Sequence, residues 1–413
     1  MKKLLTMLLA ILMVLSLFGC AKPADSTPTS ASNAESTPSS DAAASTDTAP
    51  AASKYDEGDT IKVGMVAYLT GPQSNIGDIA MESATLAIDR INAAGGVLGK
   101  QLELVVEDAG ENQQTNYVAT SKILSDGEIS CMYHTWASSD SISASPLVLE
   151  YKIPTIAAGS SMNVWKEENP YMWQIRMTDN YNAPVMAEVA TQQLGMKNPA
   201  IIYLTDSFGE GYYNGIKDAF DAMGIEIATA LAMNVDETNA APIVAQVAAS
   251  GCDGLIACTH DNEAVVLMKQ VELAGLDIPC IGPGSYGTEY VTESAGADAA
   301  DGWYSLSDWC VDLDTEVSKE FVTSFREKYP GLEPTMQDTY AYDAIYMFAK
   351  AIELAGSADP EAINNAMSQL EPYDGVLARF ELDDHHVFGS SCLMLRNDGT
   401  TPVIESVVYR PKQ

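Results

Sequence analysis

Two runs of small, hydroxyl-bearing residues carry the chemistry most open to interpretation: His134-Thr135-Trp136-Ala137-Ser138-Ser139-Asp140 and Ala157-Ala158-Gly159-Ser160-Ser161. Each follows a short apolar run that reads as a strand. Hydroxyls and free backbone N–H groups at the head of a helix can hold a small anion such as a carboxylate. One such serine alone would be an ordinary helix cap, but two clusters behind neighbouring strands point to an anion cradle. His134, Ser138 and Asp140 are also the residue types of a serine hydrolase. The G-x-S-x-G elbow is missing, however, and a serine nucleophile needs a base oriented by a third group, so the chain is not read as an enzyme. Gly282-Pro283-Gly284-Ser285-Tyr286-Gly287 fits G-x-G-x-x-G, yet no clean helix and no acid ~20 residues later follow it. It is read as a loop whose glycines leave room for a ligand. His385-His386 lies beside Asp383 and Asp384; neighbours on a strand point apart, so a solvated turn is expected rather than a metal site, and no cofactor is implied.

The elements that must position these residues follow from hydrophobic period. Ile61 to Ala67 reads as a buried strand, and Ala80, Ala84, Ala87, Ile88 and Ile91 share one face of a helix over 79–92 that Gly95-Gly96 ends. Strands at 102–107, 129–133 and 153–157 then alternate with helices at 116–124 and 146–150. A second set follows Tyr181, with helices at 184–194, 211–223, 242–249 and 263–274 and strands at 200–204, 225–231, 254–258 and 278–281. Beyond Trp303 come helices at 316–329, 337–355 and 360–370 and strand-like stretches at 376–382 and 391–396. This alternation predicts an α/β fold of two doubly wound, Rossmann-like units, with the chain crossing between them more than once. Ligands on such sheets bind beyond the carboxyl ends of the strands, which selects the loops after Ala67, Tyr133, Ala157, Leu204, Cys258 and Ile281. Trp136 and Tyr286 fall in such loops and could stack on a ring, whereas Trp165, Trp173, Trp303 and Trp309 suit core packing or surface.

Of the 413 residues, the first 20 have their own logic. Lys2 and Lys3 precede an apolar run from Leu4 to Phe18, and Leu17-Phe18-Gly19-Cys20 closes it. A charged, apolar, small-residue order is that of a secretory signal peptide, and the run is shorter than the ~20 residues a spanning helix needs. Leu-x-Gly-Cys resembles the bacterial lipobox, which implies cleavage after residue 19, acylation of Cys20 and a cell-membrane location, lipid-anchored on the extracytoplasmic face. The Ala/Ser/Thr/Pro/Asp-rich segment 20–59 is too poor in apolar surface to fold and is expected to be a disordered tether. Without residues 1–19 the chain has 20 basic and 57 acidic side chains, a formal charge of −37. Counterion release needs clustered cations, so no nucleic-acid partner is expected. Cys131, Cys252, Cys258, Cys280, Cys310 and Cys392 remain after Cys20; their spacing offers no zinc motif and fits buried thiols or one or two bridges.

From about Ile61 to Thr400 the chain resembles the type I periplasmic solute-binding proteins of ABC importers, in particular the branched-chain amino-acid-binding group. The resemblance rests on Ile61-Lys62-Val63-Gly64 leading to Leu69-Thr70-Gly71-Pro72, on Asp89-Arg90-Ile91-Asn92-Ala93-Ala94-Gly95-Gly96 with Gly99, on Ser138-Ser139, on Ile153-Pro154 with Ser160-Ser161, and on Phe208-Gly209-Glu210-Gly211 and Ala274-Gly275-Leu276. It implies two lobes joined by three crossovers, a ligand in the cleft between them and hinge closure on binding. Lobe 1 would comprise 60–179 and about 308–388, lobe 2 180–307 and about 389–413. It further implies that Ser138 holds a ligand carboxylate, that Ser161 stands for a threonine contacting carboxylate and ammonium, and that Ala158 or Gly159 supplies a neighbouring carbonyl. Ser139 belongs to the same motif, Phe208 and His260 take the place of cleft tyrosines, and Ile76 the place of an aromatic cover. Gly284 stands where the family has the glutamate that pairs with an α-ammonium group; Asp140, Asp179, Asp206 or Glu289 could replace it, and an organic or aromatic acid is the other ligand class. The expected protein is a monomeric receptor for a small carboxylate-bearing molecule, serving an ABC permease and held to the lipid membrane through Cys20. The alternative is a sensory module reporting to a membrane signalling partner.

Overall fold

A strand packed on both faces has no room for polar alternation, and β1 (Thr60–Ala67) is buried over nearly its whole length. The computed structural model describes residues 53–408 except 72, 111, 135–136, 166–167 and 390–391. After β1 come α1 (Ser74–Ala93), β2 (Gln101–Asp108), α2 (Gln113–Ser125), β3 (Cys131–His134), α3 (Ser138–Tyr151), β4 (Thr155–Ala157) and β5 (Met172–Gln174). They form a parallel sheet of order β2-β1-β3-β4-β5. Next are α4 (Asp179–Glu188), β6 (Ala200–Leu204), α5 (Ser207–Met223), β7 (Thr229–Met233), α6 (Ala241–Ser250), β8 (Leu255–Cys258), α7 (Asp261–Leu273), β9 (Cys280–Pro283), α8 (Glu289–Ala295), α9 (Ala297–Ala300) and β10 (Tyr304–Ser307). The chain closes with α10 (Glu316–Lys328), α11 (Met336–Ala355), α12 (Pro360–Met367), the short hairpin β11 (Tyr373–Asp374) and β12 (Arg379–Phe380), then β13 (Cys392–Asp398) and β14 (Thr401–Val408). The second sheet has the order β14-β13-β10-β9-β8-β6-β7, antiparallel only at β13 and β14.

Both sheets are covered on both faces. Val63 and Met65 pack against Ile345, Phe348 and Ile352 of α11, while Val66 and Met132 face Ile123 and Val148 of α2 and α3. In the second sheet Ile202 joins the core under α6 and α7 and its neighbour Ile201 the core under α4 and α5, the period-two alternation of a strand. The late helices α10 to α12 thus return to the first sheet and β13 and β14 to the second, so the chain passes between sheets after β5, after β10 and after Phe388.

The crossovers are tied together. Gln174 and Phe388 exchange backbone bonds across the first and third: Gln174 N–H donates to His386 O and Phe388 N–H to Gln174 O, both at 2.9 Å. Arg176, two residues past β5, lies with Nε 3.0 Å from Asp308 Oδ2 on the second crossover, both side chains almost wholly buried. Tyr340 of α11 donates its hydroxyl to the same carboxylate at 2.6 Å and spreads its ring beneath the guanidinium, 5.1 Å away.

Several expectations need correction. The helix read at 146–150 starts eight residues earlier at Ser138, and that read at 79–92 starts at Ser74, because Ser, Asn and Gly at helix heads mask the period. Strands β5, β10 and β14 were not expected; β5 has three residues, and β14 is a half-exposed edge. Residues 376–382 form a tight turn and hairpin rather than one strand. Residues 53–56, read as tether, are held against the folded body: Ser53 Oγ donates to Asp359, Lys54 Nζ to Gly127 O, and Asp56 accepts from Ser357 Oγ and Ala358 N. The leader and Cys20 lie outside the described residues. Cys131, Cys252, Cys258, Cys280 and Cys310 are free thiols.

Removing one partner of a buried ion pair strands the other charge, at a cost of about 3–5 kcal/mol. Asp308→Ala is therefore expected to lower the unfolding free energy from a urea titration by about 3–5 kcal/mol, and Arg176→Met with Asp308→Leu to recover most of the loss. A single variant as stable as the parent would show that the crossovers do not depend on the pair.

Candidate functional site

The heads of three helices meet between the two sheets. Ser138 opens α3 and is buried, and its Oγ accepts the Ser161 N–H at 3.1 Å. Gly159 allows this approach: a Cβ there would lie 2.9 Å from Ser138 Cα. Ser161 Oγ accepts from Asn163 N, while Gln174 Nε2 donates to Gly159 O at 2.7 Å and Ser161 O at 3.2 Å. The two serine clusters of the sequence are thus one structure, with unpaired helical N–H groups behind it. Ala158 is fully buried beneath it and offers only its backbone.

From the second sheet come α5 and α7. Asp206 caps α5 through Gly209 N–H and accepts from His260 Nε2 at 2.8 Å. Burial pushes the His260 imidazole down, but Asp206 outweighs it and the pKa is raised; Asp206, penalised by burial, is lowered by His260 and backbone donors. Phe208 stacks on His260 with centroids 4.8 Å apart. The two sides touch where Ser207 N–H donates to Ser139 Oγ at 3.4 Å. Beside this contact is a pocket of about 230 Å³ bounded by Tyr68, Gln113, Ser139 and Asp140 from the first side and Asp206, Asp236 and His260 from the second.

Several buried polar atoms around this junction lack a well-formed hydrogen bond: Ser160 Oγ and the Asp179 carboxylate, which lie close enough to act on each other, and Asp261 Oδ1 and Gln337 Oε1. Such groups cost about 1–3 kcal/mol each when left unpaired, and most buried polar groups in proteins are satisfied. Burial pushes Asp179 up to about 7 from 3.8, against the pull of the Ser160 hydroxyl and Arg176. Asp261 is likewise pushed up to about 7 by burial, against His260.

Of the four acids expected as substitutes for a glutamate at 284, only Asp179 is buried with no well-formed hydrogen bond to either carboxylate oxygen. Asp140 accepts from the Tyr68 hydroxyl, Asp206 is held by His260, and Glu289 lines a separate groove with Glu333 and Thr401. Ile76 is buried in a small cavity with Tyr68, Tyr133, Gln337 and Tyr340. Tyr286 is a correction: its ring is fully buried, stacked on Trp303 at 4.8 Å in the second-sheet core, with its hydroxyl 2.8 Å from Thr259 Oγ1. A Cβ on Gly282 would strike that ring, one on Gly284 would lie 2.6 Å from Met336 Sδ, and one on Gly287 2.4 Å from Ser305 Oγ. These glycines admit the protein's own side chains, not a ligand. Trp136 lies outside the described residues. No hydrolytic triad assembles, since His134 is engaged with Thr120, Asn116 and Ser141. Nor is His386 a solvated residue: it stacks on Trp173 at 3.9 Å. Among the described residues there is no metal-binding cluster and no helix long and apolar enough to cross a membrane. Asp261 and Gln337 were missed because each reads as an ordinary polar residue in the first turn of a helix.

A family model described as periplasmic binding protein matches residues 60–397. The leucine-, isoleucine-, valine-, threonine- and alanine-binding protein of Pseudomonas aeruginosa is 26% identical over 310 residues, 75% of this chain and 82% of that protein. Among solved structures, the branched-chain amino acid transporter substrate-binding protein LivJ of Streptococcus pneumoniae, in complex with isoleucine, superposes with a TM-score of 0.78 at 21% identity, covering 84% of this chain and 99% of that one. A solute-binding protein of an ABC transporter from R. palustris, in complex with benzoate, gives 0.77 at 19% identity over 84% and 96%.

Asp179 also generates a pH signature. Between the ordinary carboxylate pKa of ~3.9 and about 7, the folded state keeps a proton that the unfolded state has released, so stability falls as pH rises through that window. The melting temperature of the empty protein should drop from pH 5 to pH 8, and Asp179→Asn should flatten the drop. An unchanged slope in the variant would remove Asp179 from the account.

Proposed function

The chain belongs to the periplasmic binding protein family, and we propose that it is an extracytoplasmic receptor that captures an α-amino acid between its two lobes and delivers it to an ABC permease. The observation that carries this reading is the set of buried, unpartnered polar atoms contributed from both sides of one junction. A ligand that pairs them offsets a desolvation cost already present in the empty fold.

In this reading the ligand carboxylate sits at the head of α3, taking the Ser138 and Ser161 hydroxyls, with helix N–H groups adding favourable field. Its ammonium group pairs with Asp179, which takes over from the acid that Gly284 lacks. Lobe 1 comprises the first sheet with α1 to α3 and α10 to α12, lobe 2 the second sheet with α4 to α9. Ligand docks on lobe 1, and the lobe carrying Phe208 and His260 closes over it, the Ser139–Ser207 contact marking the closed edge. The closed form is what the permease recognises. An acylated Cys20 would hold this body at the membrane; one acyl chain alone binds marginally, so a multiply acylated cysteine is expected.

Titrating the purified protein with individual L-amino acids should raise its melting temperature for at least one of them, whereas benzoate, which lacks an ammonium group, should leave it unchanged. Ser138→Ala should weaken that binding about tenfold or more, the scale of one hydrogen bond to a charged group. Stabilisation by benzoate and by no amino acid would overturn the amino-acid reading. Separately, Cys20→Ser should shift the expressed protein from the detergent phase to the aqueous phase in a phase-partition assay; unchanged partitioning would rule out the anchor.

A further inference from the structure

Pairing a carboxylate and an α-ammonium group leaves two acceptors of the junction unused, Asp261 Oδ1 and Gln337 Oε1. Both residues are 4% exposed. Asp261 opens α7 beside His260, Gln337 lies in the first turn of α11, and Gln337 Nε2 donates to Asp261 Oδ2 at 3.4 Å. That bond fixes the amide: flipped, its oxygen would face a carboxylate. With Asp261 ionised, what the pair presents beyond its own bond is acceptors only.

Gln337 faces a small cavity lined mostly by apolar groups, Val66, Ile76 and Ala80 among them, and polar groups gather one step further out. Gln337 shares the small cavity with Tyr68, and Tyr68 is also a wall of the 230 Å³ pocket, whose other lining includes Gln73, Asn112, Gln113, Asp140 and Asp236. Among the described residues, Val235 is the sole branched aliphatic one lining that pocket. An aliphatic side chain closed into this cleft would leave both acceptors unpaired away from water. Burial holds the Asp261 carboxyl up near 7, a state that an incoming cation would relieve.

Resting on the reading that the cleft takes an α-amino acid, we propose that the side chain of that amino acid ends in a nitrogen donor (ammonium, guanidinium or carboxamide) received by Asp261 and Gln337. This separates the protein from receptors of purely aliphatic amino acids within the same fold. Met336, which fills the space beside Gly284, precedes Gln337 on the same helix, so α11 both blocks one acid and supplies an acceptor nearby.

The test is calorimetric titration of the full chain with L-lysine, L-arginine, L-glutamine, L-leucine and L-norleucine, the last being a lysine-like chain without its nitrogen. At least one nitrogen-bearing probe should bind tenfold or more tightly than L-norleucine and L-leucine. Gln337→Met and Asp261→Asn, each checked for a cooperative melt, should each reduce that ratio tenfold or more. Leucine or norleucine binding as tightly as every nitrogen-bearing probe would overturn the inference and leave the amino-acid reading standing. Binding by none of the five would overturn both, and a ratio unchanged in both variants would overturn the assignment to these residues.

Discussion

The buried contact between Arg176, Asp308 and Tyr340 is the constraint on which the junction between the two sheets depends. Each residue sits on a different route through the fold: the first crossover, the second crossover and the helix that returns to the first sheet. Burying a guanidinium is costly unless its charge is met at close range. Once met, the charge acts on its surroundings: Arg176 pulls down the Asp179 carboxyl and the Tyr133 and Tyr212 hydroxyls against the upward push of burial. In a chain of formal charge −35, one buried cation at the meeting of the crossovers lets several acids occupy the same interior.

That placement explains a division of labour between the two sides. The first sheet contributes neutral donors, with Ser138, Ser160 and Ser161 close to the head of α3. The second contributes charge, with Asp206 and His260 compensating each other and Asp261 left over. Hydroxyls can both donate and accept, so the first side adapts to a carboxylate without proton exchange. Buried carboxyls near neutrality cannot, and any cation they meet must displace a proton. Asp140, raised by burial on the first side, and Asp261 on the second make the junction sensitive to pH from both sides.

Much of this was legible in the sequence because parallel strands buried on both faces are continuous apolar runs, and Ile61 to Ala67 or Ala200 to Leu204 can hardly be anything else. The matching of Ser138 to Ser161 was legible too, since both lie just past strand ends. The errors have a common physical origin in tertiary contacts. Tyr286 stood in a strand-end loop as expected, but its ring folds back over Gly282 and stacks on Trp303. Gly284 looked like an open position and is filled by Met336 from 52 residues away. Gln337 lies within an expected helix, yet no local pattern says that the first turn of that helix reaches the other sheet. Residues 53–56 look like tether and are held by Asp359, Gly127 and Ala358, again distant partners.

The Gly284–Met336 pair shows two positions far apart in sequence fixing each other's size. An acid at 284 would need the volume Met336 occupies, so glutamate there requires a smaller residue at 336, and the thioether at 336 requires glycine at 284. Each residue alone is explained by the other. Met336 is also in hydrogen-bonding distance of Ser307 Oγ at 3.3 Å, which ties the exchange to the strand leading into Asp308. Met336 belongs to the core of the first sheet, and Gly284 lies just past the end of β9. The first turn of α11 thus meets the ends of β9 and β10 through Met336, which lies against both Gly284 and Ser307.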